Sequence, residues 1–394
     1  MKSRHALFIG GFVVVVSFAS LRAIPAQMGP ALGDPLAGLP TSVLGAFLQG
    51  KERFRAEETP ATGLGPVFNG RSCVTCHSVP AVGGSADDLD KRVVRFGRQS
   101  LGAPFDPLLI LGGPNLQRLS VAAELPGCQT AGEVVPAQAN AVGLRQPPPL
   151  FGLGLIEAIP EATILANEDA EDANGDGIAG RANINAGVLG RFGWKASVST
   201  ILQFVGLALV NELGVTNYVF PHEMSPQGQP VPSECKVTGD PEDADASRLA
   251  GHLAFLTFLS PPPRGPITAA VQRGESLFAQ IGCASCHVPS LRTGPNSIQA
   301  LDRKEVPLFS DLLTHYMGVA LDDNIPEGAV GGGRWRTPPL WGLRTRKFFL
   351  HDGRAADLRT AIASHAGEAR QVRDRFLALP RPAQDDLIAF LQSL

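Results

Sequence analysis

The sequence predicts a mainly α-helical chain with long loops, built as two similar units in tandem, the first enlarged by insertions. Three observations carry this expectation. The frame Cys-x-x-Cys-His occurs twice, in "SCVTCHSVP" (72–80) and "GCASCHVPS" (282–290). Each frame is followed by a near-copy of a second motif, "RQPPPLFGL" (145–153) and "RTPPLWGL" (336–343). Two motifs repeated in the same order argue for duplication. Finally, 44 Gly and 33 Pro among 394 residues place much of the chain in turns and loops, while the length favours two domains.

Taken in order, the chain opens with Lys2 and Arg4, an apolar run from about 6 to 19, and then small and turn-forming residues. This is the layout of a secretory signal over 1–26, with a retained N-terminal anchor as the alternative. No later apolar run reaches the roughly 18 residues of a spanning helix, so the mature chain is expected to have no transmembrane span. The first unit is expected over 40–260. It begins with an apolar stripe (Val43, Leu44, Phe47, Leu48, Phe54) that marks a helix with Thr41 or Ser42 as its cap. After the first Cys frame, the stretch to about 145 has little periodicity and reads as a loop-rich wrap, not a sheet. Helices are expected over 199–214, ending at Gly214, and over 244–259, stopped by Pro261-Pro262-Pro263. That triple proline marks the boundary. The second unit, 264–394, has a helix running into the second Cys frame and a closing helix with Pro382 in its first turn.

A net charge of −3, from 34 basic and 37 acidic residues, offers no electrostatic case for nucleic acid. Of six cysteines, four belong to the two frames, leaving Cys128 and Cys235. In an oxidising compartment these two can pair in only one way, and a Cys128–Cys235 disulfide is the economical reading against two buried thiols.

Cys-x-x-Cys-His is the attachment sequence of c-type haem: two thiols form thioethers to the porphyrin and the adjacent histidine becomes an iron ligand. A thioredoxin-type redox pair does not need the histidine, and a zinc half-site needs two further ligands. The expected cofactors are therefore two covalent haems, on Cys73, Cys76 and His77 and on Cys283, Cys286 and His287, in cytochrome c-like units. Between His77 and Pro221 there is no His and no Met, so the first haem lacks a usual sixth ligand unless His222, Met224 or a distant residue folds back. An iron with an open face binds small oxidants, whereas a saturated one passes electrons. The second unit offers His315, Met317, His351 and His365. Separately, "DANGDGIAGRAN" places Asp172, Asn174 and Asp176 at alternate positions before Gly177, the first half of a calcium loop. Asn183 stands where a bidentate Glu is expected, and a capped turn is the alternative.

The ordered set "GLGPVFNGRSCVTCHSVP", "PPLFGLGLIEAIPEA", "DANGDGIAGRAN", "GRFGWKA", "DLLTHYMG", "RTPPLWGL" and "FFLHDGRAADLRTAIASHAGEA" resembles the bacterial di-haem oxidoreductase family over about 42–394. That family is related to the di-haem cytochrome c peroxidases, to the di-haem enzymes that mature quinone cofactors and to haem-containing rubber oxygenases. The resemblance implies a periplasmic oxidoreductase: electrons from a small donor such as a cytochrome c or cupredoxin enter at the C-terminal haem, and hydrogen peroxide or dioxygen reacts at the N-terminal haem. It implies a distal ligand for the second iron at His365, where the peroxidases carry methionine, a departure that resembles the oxygenase branch. Met317 is the main rival, with His315 behind it.

A peroxidatic iron needs a nearby acid–base group. In the duplicated frame "LIEAIPE" follows the first Pro-Pro-Leu motif as "KFFLHDGRA" follows the second, which nominates Glu157, then Glu161, against a carboxylate that merely starts a helix. The relatives place a tryptophan between the haems. Trp194 is the nominee here, with Trp335 and Trp341 as alternatives and a space-filling core role equally open. Other outcomes are a plain di-haem electron carrier, or an oxygenase or protein-modifying enzyme acting on an organic substrate.

Overall fold

The computed structural model describes residues 30–236 and 246–394, so the expected signal over 1–26 lies outside the described residues. Nine α-helices are present among them: α1 (Thr41–Arg55), α2 (Leu153–Glu157), α3 (Glu161–Leu165), α4 (Ile201–Glu212), α5 (Ala246–Phe258), α6 (Ala269–Gln280), α7 (Leu358–Ala363), α8 (Arg370–Ala378) and α9 (Arg381–Ser393). Most residues lie in the turns and loops between them.

The sequence repeat is also a repeat of packing. α1 crosses α5 and α6 crosses α9, and both crossings are close because a glycine sits at each. A Cβ on Gly50 would run into the Gly251 carbonyl, and one on Gly274 into that of Asp386. Each crossing carries an aromatic pair, Phe54–Phe255 with centroids 4.9 Å apart and Phe278–Phe390 at 5.2 Å, worth about 1 kcal/mol beyond burial. The chain entering each first helix hydrogen-bonds to the end of each closing helix, Leu36 N to Phe258 O at 2.8 Å and Gly265 N to Ser393 O at 2.6 Å. Gly152 N donates to Leu259 O at 3.0 Å, as Gly342 N does to Leu394 O at 2.9 Å. Both of these glycines have positive φ, 73° and 74°, which explains why the Pro-Pro-Leu-aromatic-Gly motif keeps its glycine in both copies.

The two halves nevertheless share one interior. The largest apolar cluster joins Phe47, Leu150, Ile156, Val205 and Phe255 to Leu291, Leu308, Leu313 and Trp341, whereas a second cluster around Phe278, Phe376 and Phe390 belongs to the C-terminal half. The triple proline therefore does not separate the cores.

Three local expectations need correction. α1 starts at Thr41 after Pro40 with no side-chain cap, so neither Thr41 nor Ser42 serves. The region to 145 contains an antiparallel ribbon, Val93–Gly97 against Ala141–Arg145, among five two-stranded pairs in the described residues. Its register sets Val93 opposite Arg145 and Arg95 opposite Gly143, which places Arg95 and Arg145 on one face. α4 starts at Ile201, capped by Thr200, whose hydroxyl accepts from Gln203 N at 3.1 Å, and the chain turns at Gly214 with φ 65°. The Cys128–Cys235 disulfide is present, with Cα atoms 4.9 Å apart, and ties the long loop of the first half to the segment before α5.

Candidate functional site

Two cavities follow from the duplicated helix pairs, each floored by a Cys-x-x-Cys-His turn. In the first, of about 630 Å³, Cys73, Cys76 and His77 share the wall with Phe54, the ribbon arginines and one face of α4. In the second, of about 190 Å³, Cys283, Cys286 and His287 face α7 and the Pro-Pro-Leu segment. None of the four frame cysteines is in a disulfide. Burial, the main cause, pushes Cys73 and Cys283 up to about 12 and Cys76 up to about 11. Thiols held this firmly protonated do not suit a thioredoxin-type pair, which needs a lowered pKa.

The two frame histidines are oriented alike. His77 Nδ1 lies 3.0 Å from Gly84 O, with Pro148 as a second backbone partner of the ring, and His287 Nδ1 lies 3.0 Å from Phe309 O; both histidines line their cavities. Phe54 and Phe278 sit 6.4 and 6.2 Å from the respective rings. Burial lowers both imidazoles to about 4, so they are neutral, the form that binds a metal. Two thiols and one oriented imidazole on each wall fit the needs of a c-type haem, and these six residues would hold the two groups.

The second cavity supplies a third imidazole of this kind. His365 follows the C-terminus of α7 and lines the cavity. Its Nδ1 lies 2.8 Å from Ala361 O, which leaves Nε2 free. Burial lowers its pKa. Met317 lines the same cavity and is the remaining rival. His315 is not available as a ligand: Nε2 lies 2.8 Å from Asp311 and Nδ1 2.9 Å from Glu368. Burial works against its charge, but bonds to Asp311, Cys286 and Glu368 outweigh it and hold the ring protonated. His351 stacks on Trp335, centroids 3.5 Å apart.

No methionine lines the first cavity, and its histidines are His77 and His252. His222 is exposed and Met224 half-buried, and neither lines either of these two cavities. His252 sits on α5, its ring 6.3 Å from the same Phe54 that neighbours His77. Its place corresponds to Leu387 on α9, three residues before the paired phenylalanine. The rest of the wall is polar in a selective way. α4 turns Gln203 and Glu212 into the cavity, and the 322–333 loop of the other half contributes Glu327. Burial raises the Glu212 carboxyl above the usual range, against an opposing bond from Asn69 Nδ2 at 3.0 Å and the charges of Arg118 and Arg95. Glu327 goes the other way. Burial opposes its charge, but Arg95 at 2.8 Å, Arg145 at 3.3 Å and the nearby Lys195 hold it ionised. One wall therefore carries a carboxyl whose burial favours the proton and another whose cationic neighbours favour the charge.

Glu157 and Glu161 do not line this cavity. Glu157 Oε1 accepts from Ile201 N at 2.7 Å, tying α2 to the start of α4, and Glu161 is an exposed partner of Arg191 at 3.9 Å. The repeat register does not bring Glu157 to the cavity, because the end of α2 meets the start of α4. The sequence signal for Glu212 and Gln203 is faint: two polar residues on an otherwise apolar helix. His252 leaves a similar trace in α5, and nothing local marks Glu327.

Of the three tryptophans, Trp194 alone lines both cavities, and its Nε1 donates to Gln146 O at 2.8 Å. Trp335 lines only the second, beneath Lys195 Nζ at 4.0 Å and Arg145 at 4.7 Å, cations that oppose removal of an electron from its ring. Trp341 is buried in the shared core. In the 172–177 turn the side chains serve their own loop: Asp172 accepts from Gly177 N, Asn174 from Asp176 N and Asp176 from Ile178 N. Asn183 is buried and bonds Lys195 O and Glu327 O instead. Among the described residues no group of three or more His, Cys, Asp or Glu is arranged to hold a metal ion. No helix among them is long and apolar enough to cross a membrane.

Two cavities, each with its own Cys-x-x-Cys-His wall, describe a protein of the di-haem class. The family model described as "Di-haem oxidoreductase, putative peroxidase" matches residues 134–394, well over half the chain, and the chain belongs to that family. Among solved structures, it is distantly similar to hydrazine synthase of Kuenenia stuttgartiensis (14% identity, 98% of this chain and 100% of that chain, TM-score 0.42). It is similar to a MauG-like protein associated with microbial copper homeostasis (15%, 96% and 95%, 0.40). It is also similar to the diheme peroxidase BthA of Burkholderia thailandensis (17%, 89% and 86%, 0.43). No curated protein matches it.

Proposed function

We propose that this chain is an exported, periplasmic di-haem c-type oxidoreductase that reduces hydrogen peroxide at its first cavity with electrons entering at its second. Two haem units in tandem, 40–260 and 264–394, each hold a haem through two thioethers and one histidine. The observation that carries the reading is the inequality of the two walls. The second offers His365 with a free Nε2, while the first offers Glu212, Gln203 and Glu327 and no fixed further ligand beyond His252, which shares Phe54 with His77.

A bound haem would supply the redox-active iron, open to a small oxidant in the first cavity and closed by two imidazoles in the second. The protein supplies the rest. Two electrons and two protons convert one peroxide into two waters. Glu212, whose burial on α4 favours its protonated form, is the proton donor at the first cavity, and Gln203, near the start of the same helix, orients the substrate by hydrogen bonding. Glu327 pairs with Arg95 and Arg145 and holds both guanidinium groups in place on that wall. Trp194 stands between the cavities as the route for electrons arriving from a small donor, a cytochrome c or a cupredoxin. The test is anaerobic titration of the fully reduced protein with peroxide. One equivalent is expected to reoxidise both haems, and a reduced protein that survives excess peroxide would make the chain an electron carrier.

A further inference from the structure

The charges lining the two cavities are balanced differently. In the first, Arg95 and Arg145 are paired within the chain: both meet Glu327, Arg145 also meets Asp323 at 2.5 Å, and Lys195 shares Asp323 at 3.5 Å. Gly143 makes this possible, since a Cβ there would press on the Asp323 carboxylate. In the second, Arg336 and Arg346 face the cavity, and neither has a carboxylate within ion-pair distance among the described residues. The carboxylate that acts on Arg336 from further off, Asp311, is already engaged by His315 at 2.8 Å. The third arginine on this wall, Arg373, pairs with Asp374 at 2.7 Å.

The unpaired guanidinium groups are held in place without being satisfied. Arg336 is buried, and its Nε donates to Gly193 O at 2.8 Å, while its two Nη atoms have no acceptor among the described residues. Arg346 is half-buried. Its Nη2 donates to Pro339 O at 3.0 Å and its Nε is sealed from solvent without a partner. Burial lowers both only to about 10, and Arg336 also feels the charge of Arg346, so both remain cations. Two like charges placed together away from water are strongly unfavourable unless an anion completes them, and guanidinium forks are suited to carboxylates.

We infer that Arg336 and Arg346 form the binding site for the two propionate carboxylates of the haem in the second cavity, a dianion that matches the two uncompensated cations. The pair thereby raises that haem's reduction potential relative to the same haem without it. Positive charge beside an iron favours the reduced state, and among the described residues the arginines lining the first cavity are both paired with carboxylates. Arg336 N also donates to Trp194 O at 2.8 Å, which joins this site to the tryptophan between the cavities.

The inference rests on the di-haem reading, and the experiment separates the two. The haem content of purified holoprotein is measured first by pyridine haemochrome; fewer than two haems per wild-type chain would defeat the di-haem reading itself. Spectroelectrochemical titrations of wild type, Arg336→Gln, Arg346→Gln and the two Lys variants then follow each haem separately. The expected result is a downward shift of the second haem's midpoint potential in each Gln variant, near-wild-type potentials in the Lys variants, and an unchanged first haem. An unmoved second haem, or equal shifts at both haems, would overturn the site. Should Arg336→Gln fail to fold, Arg346→Gln and the Lys variants carry the same decision.

Discussion

Replacing Glu212 with Gln removes one proton and little else. Glu212 Oε2 accepts from Asn69 Nδ2 at 3.0 Å, and Asn69 in turn accepts Arg118 N at 3.1 Å. A glutamine amide oxygen can still take the Asn69 bond, so the fold should lose no more than about 1 kcal/mol. A positioned general acid is worth about 10²–10⁴ in rate, about 2.7–5.4 kcal/mol of barrier. Stopped-flow reoxidation of the reduced protein by peroxide should slow by that factor in Glu212→Gln while the spectrum of the second haem stays unchanged. The pH profile carries a second sign. Burial raises the Glu212 pKa in the folded state. Its contribution to stability is then complete below the unfolded value of about 4.3 and is lost as pH rises through the raised folded value. Wild-type turnover should decline across that same rise, and the Gln variant should lack this limb. A rate within about twofold of wild type, where general acid catalysis predicts at least a hundredfold, would remove Glu212 from the chemistry.

Glu157→Ala should behave in the opposite way. Losing the 2.7 Å bond to Ile201 N at the start of α4 should cost about 0.5–2 kcal/mol in a denaturant melt, with peroxide turnover kept, and a turnover collapse would return Glu157 to the mechanism. Replacing Cys128 and Cys235 together by Ala opens a loop with a sequence separation of 107. The guanidinium midpoint should fall by the equivalent of up to about 4.7 kcal/mol, and an unchanged midpoint would show the bridge to be dispensable. Trp194→Phe removes the 2.8 Å bond to Gln146 O and the ring shared by both cavities. Reoxidation of the second haem should slow while peroxide still reacts rapidly at the first, and equal effects on both haems would argue for a packing role.

Much of this arrangement was legible because local chemistry demands particular residues. The Cys-x-x-Cys-His turns must bring three side chains to one wall, and Gly152 and Gly342 must adopt positive φ, so both repeats persist as visible text. The disulfide followed from counting cysteines. α4, α6 and α9 were visible through their apolar spacing, and the caps at Thr200 and Thr268 agree with it. What stayed hidden depends on how distant segments meet. Glu327 reaches the first cavity from a loop of the other half, and Glu212 faces that cavity only because α4 lies along it. The ribbon 93–97 with 141–145 is short and mixed in polarity, too weak a pattern to read as strands, yet it delivers Arg95 and Arg145. Glu157 was misplaced for the same reason: the repeat register fixes neighbours along the chain, not the direction in which α2 ends.

The central claim is that the two irons are unequal, one open and one closed by His287 and His365. Electron paramagnetic resonance of the oxidised holoprotein tests it most directly. The account predicts one high-spin signal that converts on adding cyanide and one low-spin signal that does not, the latter becoming high-spin in His365→Ala. Two low-spin haems, both indifferent to cyanide, would contradict it.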